Sequence, residues 1–169
     1  MGIEAVRAVI LDVDGVLTDG RILLRDDGTE TKCFHVWDGT GIRYLLRSGI
    51  QVAFLTGRES EAVTCRAREL GVSQVRQGAK NKLPAYESLL AALSLRDEAV
   101  CYIGDDLPDI PVMRRVAFSV AVATAREEVR ALADYVTHAP GGQGAVREVA
   151  ERILKAQGKW AAILSRYTA

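Results

Sequence analysis

The chain has 169 residues, with 22 Lys and Arg against 22 Asp and Glu and a formal net charge of zero. That balance offers no electrostatic footprint for nucleic acid or a membrane surface, and the length suits one domain, residues 1–169, able to bury a core. Cys33, Cys65 and Cys101 lack CxxC spacing and read as reduced thiols of a cytoplasmic protein. Two of them, Cys33 and Cys101, fall in expected strands, where a buried thiol packs as a small hydrophobe. His35 and His138 are too few for a histidine-rich zinc site. Asp12 and Asp14 interrupt the N-terminal apolar run, so no signal peptide is expected, and the run at 116–125 is too short to span a bilayer.

Taken in chain order, Ala8-Val9-Ile10-Leu11 is a continuous apolar run, as in a strand buried on both faces of a parallel sheet. Asp26-Asp27-Gly28, between extended segments, predicts a hairpin over about residues 20–36. Residues 40–48 follow as a helix, with Ile42, Leu45 and Leu46 on one face and Gly49 as its stop. A strand at 51–55, a helix at 60–70 ending at Gly71 and a short strand at 74–76 come next. Asn81 can cap a helix to about residue 94, with Pro84 tolerated in its first turn. Then come a strand at 99–103, a helix at 108–115, a strand at 118–122, a helix at 126–133 and a last strand at 135–136. Gly141-Gly142-Gln143-Gly144 opens a C-terminal tail, about 141–169, containing a helix from 145 to about 155. The alternation predicts an α/β fold, a doubly wound Rossmann-like parallel sheet with an inserted β-hairpin.

Two acidic clusters each follow an expected strand directly: Asp12 and Asp14 after the first, and Gly104-Asp105-Asp106-Leu107-Pro108-Asp109 after 99–103. Carboxylates at the carboxyl ends of parallel strands sit where such sheets bind ligands. Two clusters side by side repel unless a hard dication bridges them, which points to a magnesium site with a reactive aspartate. Taken singly, each Asp is as easily a turn former or a helix cap. Lys82, in a helical first turn, is disfavoured by the helix dipole unless an anion lies nearby, and Lys80 is its rival.

Taken together, the motifs resemble the haloacid dehalogenase superfamily. Asp12-Val13-Asp14-Gly15-Val16-Leu17-Thr18 is similar to its first motif, DxDGxLT, and Leu55-Thr56-Gly57-Arg58 to its second. Lys82 fits the third and Gly104 to Asp109 the fourth, GDDxxD, all in the right order. The resemblance implies Asp12 as nucleophile, Asp14 as general acid and base, and Thr56 and Lys82 as phosphoryl-binding groups. It implies magnesium held by Asp12, the backbone carbonyl of Asp14 and Asp105, with Asp106 or Asp109 orienting its waters. No cap-sized insertion is present, so the chain resembles the capless branch, whose sites are completed by neighbouring subunits of a homotetramer.

Within that branch the chain resembles the phosphatases of 3-deoxy-D-manno-octulosonate 8-phosphate, which serve lipopolysaccharide biosynthesis. Phe34-His35-Val36-Trp37-Asp38-Gly39-Thr40-Gly41-Ile42-Arg43 and Gly141-Gly142-Gln143-Gly144-Ala145-Val146-Arg147-Glu148 carry this resemblance. It implies a substrate loop of His35, Val36, Trp37, Asp38 and Gly39, substrate contacts from Asp14, Gly57 and Lys82, and sugar-acid or phosphate-binding arginines at Arg43, Arg58 and Arg66. Arginine suits a carboxylate because its planar fork pairs bidentately and stays charged. Trp37 departs from the pattern, since relatives often carry a basic residue there. The alternatives are a sister phosphatase for 2-keto-3-deoxynononate 9-phosphate, a receiver domain and a non-catalytic assembly module. The sister tends to carry Glu where this chain has Arg58; a receiver ends strand one with its acidic pair and strand three with its phospho-acceptor; a module has no need of Asp12, Asp14, Lys82 and Asp105.

Overall fold

A computed structural model describes residues 2–168. Its centre is β1 (Ala8–Leu11), buried along its whole length because β4 (Gln51–Leu55) and β6 (Val100–Gly104) flank it, in register Ala8 to Gln51 and Ala8 to Val100. With β5 (Gln74–Arg76), β7 (Phe118–Ala121) and β8 (Tyr135–Val136) the order is β5-β4-β1-β6-β7-β8, all parallel. The chain leaves β1 toward β4 and β5, then crosses back to β6, so the order reverses beside β1. The carboxyl ends of β1, β4 and β6 therefore border a crevice at the topological switch point.

The expected hairpin forms, with β2 (Leu23–Leu24) antiparallel to β3 (Glu30–Thr31). Right-handed crossovers set the layers. They place α1 (Val36–Arg47) and α2 (Glu61–Leu70) on one face and α3 (Lys82–Leu93), α4 (Ile110–Met113) and α5 (Glu127–Leu132) on the other. The last helices are α6 (Ala145–Ala156), packed along α1, and α7 (Trp160–Thr168).

Three differences from the sequence reading have physical causes. Helix α1 begins at Val36 rather than residue 40, so the expected substrate loop is an N-cap, His35, followed by a helical first turn. His35 Nδ1 accepts from the Trp37 N–H, and the glycines that suggest a loop serve close packing. A Cβ at Gly41 would lie 2.9 Å from Arg147 Cα, so α6 can approach only a bare backbone. Second, the tail ends in α7, whose Tyr167 meets Tyr44 hydroxyl to hydroxyl at 3.1 Å and whose Trp160 lies edge-on to Tyr44. The tail thus reaches the C-terminal half of its own α1, where Tyr44, Arg47, Ile163 and Tyr167 border a cavity of about 370 Å³. Third, Cys101 is buried, but Cys33 and Cys65 are exposed because neither lies in the sheet.

Asp38 joins α1 to α6. It is 1 % exposed, and its carboxylate accepts from the N–H groups of Gly144 (3.2 Å) and Arg147 (3.0 Å), orphan donors at the start of α6. Asp38→Ala is expected to cost about 1–3 kcal/mol, measured as a lower Tm, with divalent-cation binding retained.

Candidate active site

Each carboxylate is delivered by a strand end. Asp12 follows β1, and the chain then curls so that the N–H groups of Val16, Leu17 and Thr18 all point to the Val13 carbonyl. Gly15, at φ +90°, completes the curl, and a Cβ there would collide with the Asp105 carboxylate. The two acidic clusters meet only because residue 15 has no side chain. Thr56 follows β4, Asp105 follows β6 and Lys82 opens α3 behind its N-cap Asn81. Together they line a cavity of about 330 Å³ that also includes Asp14, Gly57, Arg58, Asp106 and Asp109.

The electrostatics centre on buried like charges. Lys82 Nζ stands 3.0 Å from Asp12 Oδ2 and 2.6 Å from Asp109 Oδ1. Burial works against its ammonium, and Asp12 and Asp109 more than reverse that, leaving it above the ordinary lysine value. Lys80, its rival, is exposed at the cavity rim. Asp12 is pushed up to about 6, first by burial and then by Asp109, with Lys82 pulling the other way. Asp105 rises to about 8 through burial and the charges of Asp12 and Asp109, and its Oδ1 is buried with no hydrogen-bond partner.

Carboxylate oxygens of Asp12, Asp105 and Asp109 lie within 4.8 Å of one another, a grouping that can hold a divalent cation. The donor set is all oxygen, which suits a hard ion, and the orphaned Asp105 oxygen gives it an uncommitted ligand. Asp109 differs. Its Oδ1 accepts from Lys82 and from the Tyr102 hydroxyl (2.6 Å), and its Oδ2 accepts from the N–H groups of Asp105 (2.9 Å) and Asp106 (3.1 Å). With both oxygens committed, Asp109 is a bracket that orients Lys82 and Asp105 rather than a ligand. Asp106 caps the following turn through the Leu107 N–H, with its side chain at the surface.

Asp14 is held from two sides. Its Oδ2 lies 3.5 Å from Thr56 Oγ1, and its Oδ1 accepts from the Lys32 ammonium, delivered by the hairpin. Lys32 also lies 2.8 Å from Glu30, which pairs with Arg58 at 2.5 Å. The Lys32 ammonium, close by but outside hydrogen-bond geometry at Oε1, is the main force pulling Glu30 down to about 2, with Arg58 adding to it. Sequence reading missed Glu30, Lys32 and Tyr102, because a charged pair in a hairpin reads as solvated and a strand tyrosine reads as core.

The other expected residues lie elsewhere in the chain. Val36 and Trp37 are 71 % and 60 % exposed, and Gly39 packs against Arg66. Arg43 and Arg66 both bind Glu69, at 3.6 and 2.7 Å, and Arg66 also lies over the Phe34 ring. Within one chain only Arg58 of the three arginines borders the Asp12 cavity.

The haloacid dehalogenase-like hydrolase family matches residues 73–147. The 3-deoxy-D-manno-octulosonate 8-phosphate phosphatase of Salmonella typhi is 52 % identical over 156 residues, 92 % of this chain and 83 % of that protein. The chain belongs to this family of haloacid dehalogenase-like phosphatases. Among solved structures, the family member from Moraxella catarrhalis, in complex with magnesium, phosphate and KDO, superposes with a TM-score of 0.95 at 44 % identity, covering 98 % of this chain and 95 % of that one. A cobalt-bound member from Haemophilus influenzae gives 0.91 at 41 % identity, covering 93 % and 92 %.

Carboxyls raised in the folded state favour folding at low pH and lose that contribution as pH rises through their folded values. Asp12 and Asp105 therefore weaken the metal-free protein as pH climbs above 3.8, the loss being complete past about 6 for Asp12 and past about 8 for Asp105. Stabilisation by magnesium is accordingly expected to grow over that range. At a hundredfold excess over Kd it amounts to about 2.7 kcal/mol, or about 5–10 °C in Tm. Calorimetry with and without chelator at several pH values measures this, and Asp105→Asn should abolish most of the shift.

Proposed function

We propose that this protein hydrolyses 3-deoxy-D-manno-octulosonate 8-phosphate to the free sugar acid and phosphate, through a phosphoryl group carried on Asp12. The observation carrying this reading is the single cavity into which Asp12, Asp14, Thr56, Lys82 and Asp105 converge, in a chain half identical to phosphatases of that ester. Asp12 attacks phosphorus, Asp14 protonates the leaving sugar oxygen, and Asp14 later takes the proton of the attacking water. Thr56 and Lys82 hold phosphoryl oxygens, and Lys82 places its charge where negative charge builds. Magnesium, held by Asp12, the Asp14 carbonyl and Asp105, would offset the repulsion between those carboxylates and the phosphate. Arg58, at the cavity rim, favours the eight-carbon substrate over the nine-carbon one. All three cysteines are free, which fits a cytoplasmic place in lipopolysaccharide biosynthesis.

Asp12→Asn tests the reaction directly. It is nearly isosteric and removes a buried like charge, so turnover of this ester is expected to vanish while Tm stays level or rises. Ordinary activity in that variant would overturn the assignment of the nucleophile.

The sugar-acid end is read by Arg43 and Arg66, with His35 to Gly39, presented to the cavity of a neighbouring subunit in a homotetramer. Supporting this, neither arginine borders its own chain's cavity, while Leu23 and Leu24 of the hairpin are 48 % and 69 % exposed beside an open sheet edge. Light scattering should give four times 18.4 kDa. Mixing Asp12→Asn and Arg66→Ala subunits should restore activity, because some shared sites then draw an intact residue from each parent; no recovery after subunit exchange would sink the shared-site arrangement.

A further inference from the structure

Lys32 is the least expected member of the site. It lies just beyond β3, its side chain is 1 % exposed, and its ammonium is bonded to Oδ1 of Asp14. Exposed lysine pairs contribute little, but a buried ammonium is costly unless fully partnered. Glu30 supplies a second charge as an ion pair, with Oε1 2.8 Å from Lys32 Nζ but outside hydrogen-bond geometry, and Oε2 2.5 Å from an Arg58 nitrogen. The other oxygen of Asp14, Oδ2, lies toward Thr56 at 3.5 Å, on the side of the phosphoryl cavity. The two oxygens of one carboxylate therefore have opposite surroundings.

We propose that Lys32, backed by Glu30, is a positioning residue that holds Oδ1 of Asp14 and so aims Oδ2 at the leaving-group oxygen. The inference rests on the phosphatase reading above. With Oδ1 taken up by the ammonium, Oδ2 is the oxygen left facing Thr56 and the cavity. In the first step a carboxylate oxygen of Asp12 bonds to phosphorus as the ester P–O bond breaks. The electron pair of that bond goes to the leaving oxygen, which takes the proton from Asp14 Oδ2. In the second step water attacks phosphorus and gives its proton back to Oδ2, and the Asp12–phosphorus bond breaks to return the carboxylate. Throughout, Lys32 keeps the same hydrogen bond, so the acid does not swing away between steps. Glu30 fixes the ammonium from behind and shares its charge, tying Asp14 to the hairpin rather than to the sheet alone.

With enzyme in excess, release of the first alcohol reports the proton-donating step by itself. Three esters separate the possibilities: 3-deoxy-D-manno-octulosonate 8-phosphate; glycerol 1-phosphate, an alkyl ester with no carboxylate; and p-nitrophenyl phosphate, whose leaving group needs no proton. Lys32→Met keeps the buried stem and removes the ammonium. Its maximal rate is expected to fall about 10- to 100-fold on both alkyl esters with little change in half-saturation, while p-nitrophenol release falls by at most about threefold. Lys32→Arg should recover part of the loss. Glu30→Gln, which leaves Lys32 in place, should give a smaller loss in the same pattern and carries the test if Lys32→Met does not fold. Equal losses on all three esters would overturn the proposal, because Lys32 would then serve the phosphoryl site or the fold. A loss confined to the sugar-acid ester would overturn it too, making Lys32 a distal contact. Wild-type enzyme that turns over the two simple esters but not the sugar-acid ester would instead refute the substrate reading.

Discussion

Buried negative charge at the end of β1 governs the rest of this structure. Asp12 and Asp105 face each other because Gly15 has no side chain to keep them apart, and burial raises both carboxyls. Lys82 supplies one compensating charge, and Asp109 fixes that lysine while ordering the backbone of the second cluster. The remaining excess of negative charge is what a hard cation fits. A site built this way is poised for phosphate: its carboxylates repel an anion until a cation is present, and the buried Lys82 ammonium already faces the cavity.

The scaffold holds this arrangement because the switch point lies at its centre rather than at an edge. Strands β4 and β6 clamp β1 on both sides, so Thr56 and Asp105 are fixed relative to Asp12 by main-chain hydrogen bonds rather than by loops. The hairpin is less constrained, with short strands and exposed leucines. Its inward anchor is the Lys32–Asp14 contact, supported by the Glu30–Arg58 pair. The hairpin is thereby tied to Asp14, which lines the cavity.

Helices α1 and α6 form the second rigid body of importance. Asp38 caps the start of α6, and Gly41 lets Arg147 approach. That packing turns the His35–Gly39 segment into helix and leaves Val36 and Trp37 outward. Trp37 is directed to the surface, as are Leu23 and Leu24 of the hairpin.

The sequence by itself determined the parallel sheet, the hairpin and the placement of Asp12, Thr56, Lys82 and Asp105 at element ends. These are local properties: apolar runs, Asp-Gly turns and caps such as Asn81 act within a few residues. Tertiary structure alone decided the partnerships. Asp38 meets α6 across more than a hundred residues, Lys82 meets Asp109 across 27, and Lys32 reaches back 18 to Asp14. It also decided that α1 starts at its own cap and that the tail folds into α7 against Tyr44. Propensity and periodicity measure what a residue prefers beside its neighbours in the chain. A buried carboxylate or ammonium is held by whichever group the packed layers bring to it, because leaving it unpaired costs more than local preference can return.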